Sequence, residues 1–385
     1  MLIIRNDNFI IRDDEIYIVG SASNHLYINN IFQMGQIEIL GWYLDPLSTD
    51  ISKAEKLLPH DKMKLYLYDY NVPFREKCRI IKKHVAEADA ISLKLSIKDA
   101  VIACHYANRY KKKYVIESGS DAFSSVWYHG GGIKYKIAAV PFELLIQYYH
   151  RKAKYIIYVS KAFLQKKYKS KAYQIGCPDV VLEEVSESVL EKRIKRIGVN
   201  TTKYTLGLIG ATNVEYRGHD TLIKVAGTLS REGYNIDIRF LGSDKGRSQR
   251  LVTAREEGIE DKIYFDGYKN KEGVYEWIDQ VDILVMPTLT ETLGRAVIEA
   301  MARGCPVVGS IETALAEQIP FDCLAKARDI NGICEILRHM FHSGSYMKSC
   351  IYENFYRAQK YLSAETNLKR KNFYDMFYKK EIEGT

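Results

Sequence analysis

The segment 282–309 constrains the fold more than any other part of this 385-residue chain. It begins with a short apolar run at 283–286 and ends with a second one, Val307 and Val308, directly after a proline. Continuous apolar runs of this length are typical of parallel strands that are buried on both faces. The residues between them, 290–302, have the pattern of a loop followed by a helix. The segment therefore predicts a strand, a loop, a helix and a second strand, which is the repeating unit of a parallel α/β sheet.

A glycine and two carboxylates stand in this segment where such a sheet binds ligands. Gly294 precedes the helix, and its lack of a side chain lets the backbone approach a ligand closely. The N–H groups and dipole of the first helical turn then favour a diphosphate. Glu299 follows about 7.5 Å further along the helix axis, within reach of ribose hydroxyls. With Glu291 on the loop facing a sugar, the pattern predicts a nucleotide-sugar site.

This segment resembles the retaining glycosyltransferases of group 1 (family four). The resemblance rests on two glutamates separated by seven residues, on Gly294 between them, and on the run Ala-Met-Ala-Arg-Gly-Cys-Pro-Val that follows at 300–307. The resemblance implies the GT-B fold, in which two Rossmann-like doubly wound α/β domains face each other across a cleft. It also implies that Thr292, Leu293 and Arg295 join Gly294 and Glu299 in binding the donor. The alternative is an ordinary amphipathic helix with two incidental glutamates.

The first strand–helix connection of the second half, 207–220, is the other expected donor-binding loop. The resemblance implies that Gly210 lies at the donor. It also implies that Arg217 takes the place of the Lys in the family's Lys-Gly-x-Asp pattern, where this cation contacts the diphosphate. Arginine preserves that role because it binds phosphate bidentately. Many relatives carry an Arg directly after the glycine, where this chain has Ala211. Arg295 is a candidate replacement, or else a solvated surface residue. The glycine spacing is not Gly-x-Gly-x-x-Gly, which disfavours a dinucleotide oxidoreductase.

We predict a metal-independent enzyme without a cofactor, whose leaving diphosphate is stabilised by positive charge at Arg217. No Asp-x-Asp stands at a predicted strand end. The seven cysteines are scattered, odd in number and form no Cys-x-x-Cys pair, so neither a zinc site nor a disulfide framework is expected.

The first half also has an α/β pattern and is expected to bind the acceptor. A strand ends in the loop 117–121, and Trp-Tyr-His-Gly follows at 127–130. These segments resemble the Gly-Asp-Pro loop and downstream His-Gly of capsular and exopolysaccharide glycosyltransferases, and 93–96 resembles their Arg-Leu-Pro-Ser turn. Asp121 and His129 are therefore candidates to orient or deprotonate the acceptor hydroxyl, since both side chains accept protons. A structural histidine is the alternative for His129.

The chain is longer than the roughly 250–300 residues at which single cores stop growing, so we expect two domains. The acceptor domain is predicted at 1–185 and the donor domain at 200–364. The resemblance implies that a C-terminal helix at 365–385 packs back on the acceptor domain, and the aromatic side chains of this helix suit that role, with local packing as the alternative. A charged helix or linker at 183–196 separates them. The predicted strands are 15–19, 37–40, 64–68, 90–93, 114–117, 155–159, 204–210, 236–242, 262–265, 282–287 and 306–309. The predicted helices after the linker are 220–231, 248–257, 273–280, 331–343, 346–361 and 366–379.

The net charge of +8 is concentrated in one region. Between residues 134 and 171 there are ten Lys or Arg residues and one acid, Glu143. This segment could lie on an anionic membrane leaflet, with an ordinary solvated helix as the alternative. Nucleic acid is a poorer explanation because the chain has no recognition motif. No membrane span or secretory signal is expected, so we predict a cytoplasmic protein, peripheral on the inner face of the membrane if that segment binds lipid.

The predicted function is transfer of a sugar, with retention of configuration, from a nucleotide-sugar donor such as a UDP-sugar to a saccharide acceptor. We expect a lipid-linked acceptor in the assembly of a capsule, exopolysaccharide or O-antigen. One alternative is a sugar-nucleotide epimerase of similar two-domain shape, which the two glutamates disfavour. The other is an inactive sugar-nucleotide-binding protein, which Ala211 favours.

Overall fold

A computed structural model describes residues 1–13, 15–19, 36–45, 54–57, 62–129, 132–197 and 203–384. The chain divides into two compact units. The first contains Met1–Phe123, Ile133–Val181 and Ser363–Thr385, and the second contains Ser124–Gly132 and Leu182–Leu362. The division after Val181 lies four residues before the predicted end of the first domain. The acceptor and donor roles of the two units remain predictions.

The first unit is built on a nine-stranded sheet in the described residues. Its strands are β1 (Leu2–Arg12), β2 (Glu15–Val19), β3 (Ile37–Leu44), β4 (Ala54–Lys56), β5 (Met63–Asp69), β6 (Ala90–Lys94), β7 (Lys113–Ser118), β8 (Tyr155–Tyr158) and β9 (Tyr173–Gly176). The parallel part has the order β5-β3-β1-β6-β7-β8-β9. Its first six strands follow the doubly wound order, which reverses direction between β1 and β6. β2 and β4 extend the sheet as antiparallel strands.

The second unit contains a smaller sheet in which every strand is parallel to its neighbours. Its strands are β10 (Tyr204–Ile209), β11 (Ile236–Leu241), β12 (Ile263–Phe265), β13 (Ile283–Met286), β14 (Val307–Ser310) and β15 (Leu324–Ala325). The order is β12-β11-β10-β13-β14-β15. This is again the doubly wound order, with its reversal between β10 and β13.

The α-helices of the described residues fill the connections between strands. They are α1 (Phe74–Glu87), α2 (Lys98–Arg109), α3 (Ala122–His129), α4 (Ile133–Lys152), α5 (Phe163–Lys167), α6 (Glu187–Ile197), α7 (His219–Arg231), α8 (Arg247–Glu256), α9 (Lys271–Gln280), α10 (Arg295–Ala302), α11 (Ile330–His342), α12 (Gly344–Ala358) and α13 (Ser363–Tyr378). None of them is long and apolar enough to cross a membrane.

Helix α13 belongs to the first unit although it follows the whole of the second unit in sequence. Phe373, Tyr374 and Phe377 pack in one buried cluster with residues of β6, β7 and β8. The Tyr374 hydroxyl donates to the Glu117 carboxylate at 2.6 Å and lies 2.7 Å from the Ser92 hydroxyl. The aromatic side chains noted in the sequence are therefore part of the first unit's core.

The predicted strands and helices are confirmed, with ends shifted by a few residues. The sequence analysis was wrong at the start of the chain, because it placed the first strand at 15–19 and missed β1. That strand lies between β3 and β6, and its register to β3 shifts between Ile4 and Asn8. Polar residues at this shift interrupt the apolar run, which hides a strand that is central to the sheet. β9 was also missed.

Candidate active site

The predicted donor residues lie at the carboxyl ends of β10 and β13, where the order of the sheet reverses. β10 and β13 are hydrogen-bonded neighbours, with Leu206 opposite Ile283. Gly210 directly follows β10, and the loop from Pro287 to Gly294 follows β13. Open α/β sheets bind ligands in the crevice at such a reversal. The two segments that the sequence singled out therefore meet at the place where this fold forms binding sites.

Backbone contacts hold these two loops together. The N–H of Leu289 donates to the carbonyl oxygen of Tyr216 at 2.8 Å, and the Thr288 hydroxyl donates to the same oxygen at 3.0 Å. Gly218 has a φ of +84° and approaches Pro287 so closely that a Cβ would lie 2.3 Å from the Pro287 carbonyl oxygen. Only glycine fits this position. The contacts fix the residue before Gly218, Arg217, beside the loop that follows β13.

Arg217 and Glu291 form an ion pair at the centre of the site. The Arg217 Nη1 donates to Glu291 Oε2 at 2.6 Å, and Glu291 Oε1 also accepts the Thr292 N–H at 3.1 Å. Burial opposes the charge on the guanidinium, but Glu291 and Tyr216 together outweigh burial and raise the pKa of Arg217. Gly210 makes room for the arginine, because a Cβ there would lie 3.2 Å from the Arg217 Cγ. The Arg217 side chain is thus held in place by charge and by packing.

The helix that carries Glu299 begins after a glycine in the left-handed backbone conformation. Gly294 has a φ of +66° and precedes α10, whose first intrahelical bonds run from Val297 and Ile298 to the Gly294 carbonyl. A Cβ on Gly294 would lie 2.5 Å from Leu315 Cδ2. The amide of Gln318 donates to the Leu293 carbonyl and holds the loop from behind. N–H groups ahead of Val297 have no partner within a helix, so this helix start is suited to an anion.

Glu299 is a half-buried carboxylate one helical turn beyond Arg295. Within the described residues, no hydrogen bond or ion pair engages its oxygen atoms. Burial raises the pKa of the Glu299 carboxyl, and the charges of Arg295 and Lys271 offset only part of that effect. Nearby, burial and Glu299 raise the pKa of Tyr275 to about 12. The Glu299 carboxylate is therefore an acceptor that receives no hydrogen bond from the part of the chain that the structure describes.

Because Ala211 stands where many relatives carry an arginine, another residue must supply the second cation beside Arg217 if the diphosphate is to meet two positive charges. Arg295 lies at the helix start and its side chain is exposed to solvent. Arg250 is close to the same loop, but it is fully buried, pairs with Asp220 and donates from Nε to the Thr212 carbonyl at 3.0 Å. Its guanidinium supports the loop and is not exposed to a ligand. Arg295 remains the predicted second cation.

The structure describes the side-chain contacts of Asp121 but not those of His129, the other acceptor candidate. Asp121 is buried and pairs with Lys167, whose ammonium also lies 3.7 Å from Glu143 Oε1. Glu143 in turn accepts the Tyr168 hydroxyl and the Phe123 N–H, both at 3.0 Å. Asp121 is thus part of a buried polar network at the start of α3. His129 is the last residue of α3, and its side chain lies outside the described residues. The roles of both residues stay predictions.

Three residues of the site were missed by the sequence analysis. Tyr216 supplies the carbonyl that ties the two loops, Gln318 supports Leu293, and Arg250 supports Thr212. Their only sequence signal was the position of Tyr216 beside Arg217. Among the described residues, no three His, Cys, Asp or Glu side chains are grouped to hold a metal ion. The seven cysteines are free thiols.

In the second unit, a helix start and two carboxylates lie where the strand order of a doubly wound parallel sheet reverses, an arrangement typical of nucleotide-binding α/β proteins. Known proteins with this architecture agree with that class. HepE of Anabaena, solved with UDP and glucose, superimposes over 97% of this chain and 98% of its own with a TM-score of 0.67 and 12% identity. This similarity confirms the expected GT-B fold.

Sequence comparisons point to a more specific similarity. Residues 203–342, which include the candidate donor residues, match the family model described as Glycosyl transferases group 1. Protein CapJ of Staphylococcus aureus is 28% identical over 71% of each chain. The amylovoran biosynthesis glycosyltransferase AmsK of Erwinia amylovora is 24% identical over 45% of each chain. The part of the chain that holds the candidate donor site is therefore similar to group 1 glycosyltransferases.

Proposed function

We propose that this protein is a glycosyltransferase that moves a sugar from a UDP-sugar to a lipid-linked saccharide with retention of configuration, during the assembly of a surface polysaccharide. The observation that supports donor binding is the difference between the two glutamates on either side of Gly294. Glu291 is engaged by Arg217, whereas Glu299 is half-buried and has no hydrogen-bond donor from the described protein. A carboxylate in that state gains donors when ribose hydroxyls bind. HepE, which shares the fold, was solved with UDP and with UDP-glucose, which supports the choice of base.

The donor diphosphate would lie against the start of α10. A guanidinium carries five N–H donors, so Arg217 can hold Glu291 and bind a phosphate oxygen at the same time. Arg295 and the backbone N–H groups of the first turn add positive potential. As the bond between the sugar C1 and the phosphate oxygen breaks, these groups would stabilise the charge on the departing UDP. Because protein cations are available for this task, we propose that catalysis needs no metal ion.

The acceptor hydroxyl would approach C1 on the face from which UDP departs. The new bond forms between the acceptor oxygen and C1, and the acceptor proton passes to the leaving phosphate oxygen. Glu291 would bind the sugar hydroxyls and so hold C1 in place. Asp121 and His129 would orient the acceptor. A role in capsule or exopolysaccharide assembly is supported by AmsK, described as an amylovoran biosynthesis enzyme.

The first test measures binding of nucleotides by thermal shift and calorimetry. We expect UDP and one UDP-sugar to raise the melting temperature, and ADP and GDP to have little effect. Glu299→Ala should abolish the shift, whereas Glu335→Ala, an exposed glutamate on α11, should leave it unchanged. The same response in both variants would argue against the assigned ribose contact. No stabilisation by any nucleotide would overturn the donor proposal.

The second test uses the stabilising donor in a transfer assay with lipid-linked saccharides. We expect a product whose new linkage has the anomeric configuration of the donor, measured by NMR, and unchanged rates in EDTA. A product of inverted configuration would contradict retention. Conversion of the donor to an epimer without acceptor would instead support the epimerase alternative, and binding without turnover would support the inactive binding protein.

A further inference from the structure

The outer face of α4 carries a continuous stripe of exposed apolar side chains. They recur every three or four residues, so they lie on one side of the helix. Each is between 50% and 69% exposed. The members of this α4 stripe are Ile133, Ile137, Val140, Leu144 and Tyr148. The residues with which α4 packs inward are different ones, namely Ala139, Glu143, Ile146, Tyr149 and His150.

Basic residues border the α4 stripe. At 100° per residue, Lys134 and Lys152 lie along one side of it, and Arg151 continues it at the C-terminal end. The one acid of segment 134–171, Glu143, is buried and accepts hydrogen bonds from Tyr168 and Phe123. The exposed face of α4 thus presents apolar and positively charged groups to solvent and no carboxylate.

A lysine-lined pocket adjoins the C-terminal end of the stripe. It has a volume of about 300 Å³. The Lys152 side chain belongs to both features, because it lines the pocket and its ammonium lies 5.8 Å from the centre of the Tyr148 ring. Glu381 is the acid in the pocket lining, and it pairs with Lys113 and Lys154. The lysines that line the pocket are Lys111, Lys112, Lys113, Lys152 and Lys154. The pocket therefore has a clear excess of positive charge.

We propose that the α4 stripe and the lysine pocket dock the protein on an anionic phospholipid surface. The apolar side chains would enter the boundary between headgroups and acyl chains, with the helix lying in the plane of the membrane. The lysines would bind headgroup phosphates, each contributing to the attraction toward a negatively charged leaflet. This inference uses residues outside the donor site and does not rest on the proposed sugar transfer.

A lipid surface fits these observations better than other partners. A solvated helix presents a polar outer face, whereas α4 exposes five large apolar side chains in a row. In a two-fold contact between copies of this chain, both surfaces would present the same patch, so the basic border would meet itself without acids to neutralise it. A nucleic acid would bind the lysines through its phosphates but would leave the apolar stripe in water.

The test is sedimentation of the full chain with vesicles of phosphatidylcholine, with or without phosphatidylglycerol. We expect binding to the anionic vesicles, weakened by salt, and little binding to the neutral ones. Ile137→Glu/Leu144→Glu, which charges the stripe, should reduce binding at least about tenfold. Lys112→Ala/Lys152→Ala, which leaves the stripe intact, should also reduce it about tenfold. The two variants test the apolar and charged parts separately, and the second remains informative if the first folds poorly.

Matched controls separate the surface from net charge. Val252→Glu/Leu368→Glu changes charge equally at exposed apolar positions on α8 and α13, and Lys224→Ala/Lys348→Ala removes two exposed lysines from the second unit. Both controls should bind anionic vesicles like the wild type, and all variants should keep their thermal shift with UDP. Absent or lipid-independent binding by the wild type, or equal losses in variants and controls, would overturn the proposal. So would a stripe-dependent dimer in analytical ultracentrifugation that binds no vesicles.

Discussion

Arg217 and Glu291, 74 residues apart in sequence, are joined by a charge-assisted hydrogen bond of 2.6 Å between Nη1 and Oε2. The pair links the loop after β10 to the loop after β13 and keeps both charges at the start of α10. Because the same guanidinium is assigned to the donor phosphate, loss of either partner should disturb the position of the other.

A double-mutant cycle tests this coupling. Arg217→Ala and Glu291→Gln should each lower kcat by about 100-fold, since each removes a group that acts on developing charge or sugar position. The double variant should lose little more than either single one. In denaturant unfolding, the coupling energy should be about 1–2 kcal/mol.

The ion pair between Arg255 and Glu260 serves as the control for that cycle. It has two hydrogen bonds, from Arg255 Nε and Nη2 to the Glu260 carboxylate, and is largely exposed. Exposed pairs of this kind contribute little, so its coupling energy should be much smaller than that of Arg217 and Glu291, and kcat should not change. Full additivity of the Arg217 and Glu291 effects on kcat would show that the two residues act independently.

Glu299 should make UDP binding depend on pH. Burial raises the pKa of its carboxyl above the usual value, whereas ribose hydroxyls donate to the ionised form and lower that pKa in the complex. UDP affinity should therefore be highest above the raised pKa and should fall as the pH drops through it. Glu299→Gln should bind more weakly and show a flatter profile in calorimetry between about pH 8 and pH 5.

The same substitution should have the opposite effect on stability. With a folded-state pKa above the unfolded one, the Glu299 carboxyl favours folding least at high pH, where it must be ionised while half-buried. Glu299→Gln without ligand should therefore melt at a higher temperature than the wild type at pH 7.5, and this gain should shrink toward acid pH. A lower melting temperature at pH 7.5 would contradict the assigned burial cost.

Gly294→Ala should destabilise the protein and weaken UDP binding. An alanine would have to adopt a φ of +66° and place its Cβ 2.5 Å from Leu315 Cδ2 and 2.9 Å from Gln318 Oε1. Left-handed backbone and overpacking each cost about 1–3 kcal/mol. Gly258→Ala is the matched control, because Gly258 has a φ of +74° and open space around it. Equal losses of unfolding free energy would show that packing at Gly294 contributes nothing.

His150 should contribute to acid sensitivity. Burial lowers the pKa of its imidazole to about 4, while the ring nitrogens contact the Ile146 carbonyl and the Ser118 hydroxyl at 2.8 and 3.1 Å. A histidine with a depressed pKa stabilises the fold above its unfolded value of about 6.5, and that stability is lost as the pH falls toward 4. His150→Gln should flatten the decline in unfolding free energy over this range. Substitution of the exposed His105 should leave the decline unchanged.

The sequence could place the candidate donor residues on their loop and helix because their signals are local. Gly294, Glu291 and Glu299 lie within nine residues, and the spacing of one loop and one helix sets their order along the site. Arg217 was found by its neighbours in the chain. Its ion pair with Glu291 was not predicted, because sequence spacing says nothing about which loops meet after the sheet has formed.

Other parts depend on contacts between distant segments. β1 is central to the first sheet, but its apolar run is interrupted where its register to β3 shifts, so no alternation marks it. The pairing of Asp121 with Lys167 and the buried support of Thr212 by Arg250 each join residues about 40 positions apart. Charge pairing of this kind is decided by tertiary packing, which a single sequence does not display.

Because helix α13 is synthesised last of the α-helices, the two units obtain their complete core sequences at different times during translation. The ribosome makes β1 first, yet Phe373, Tyr374 and Phe377, which complete the core over β6, β7 and β8, are made only after all of the second unit. The second unit can close while the chain is still growing, whereas the first unit waits with an uncovered apolar surface. A nascent chain stalled before Ser363 should therefore require chaperone protection of the unit that was synthesised first.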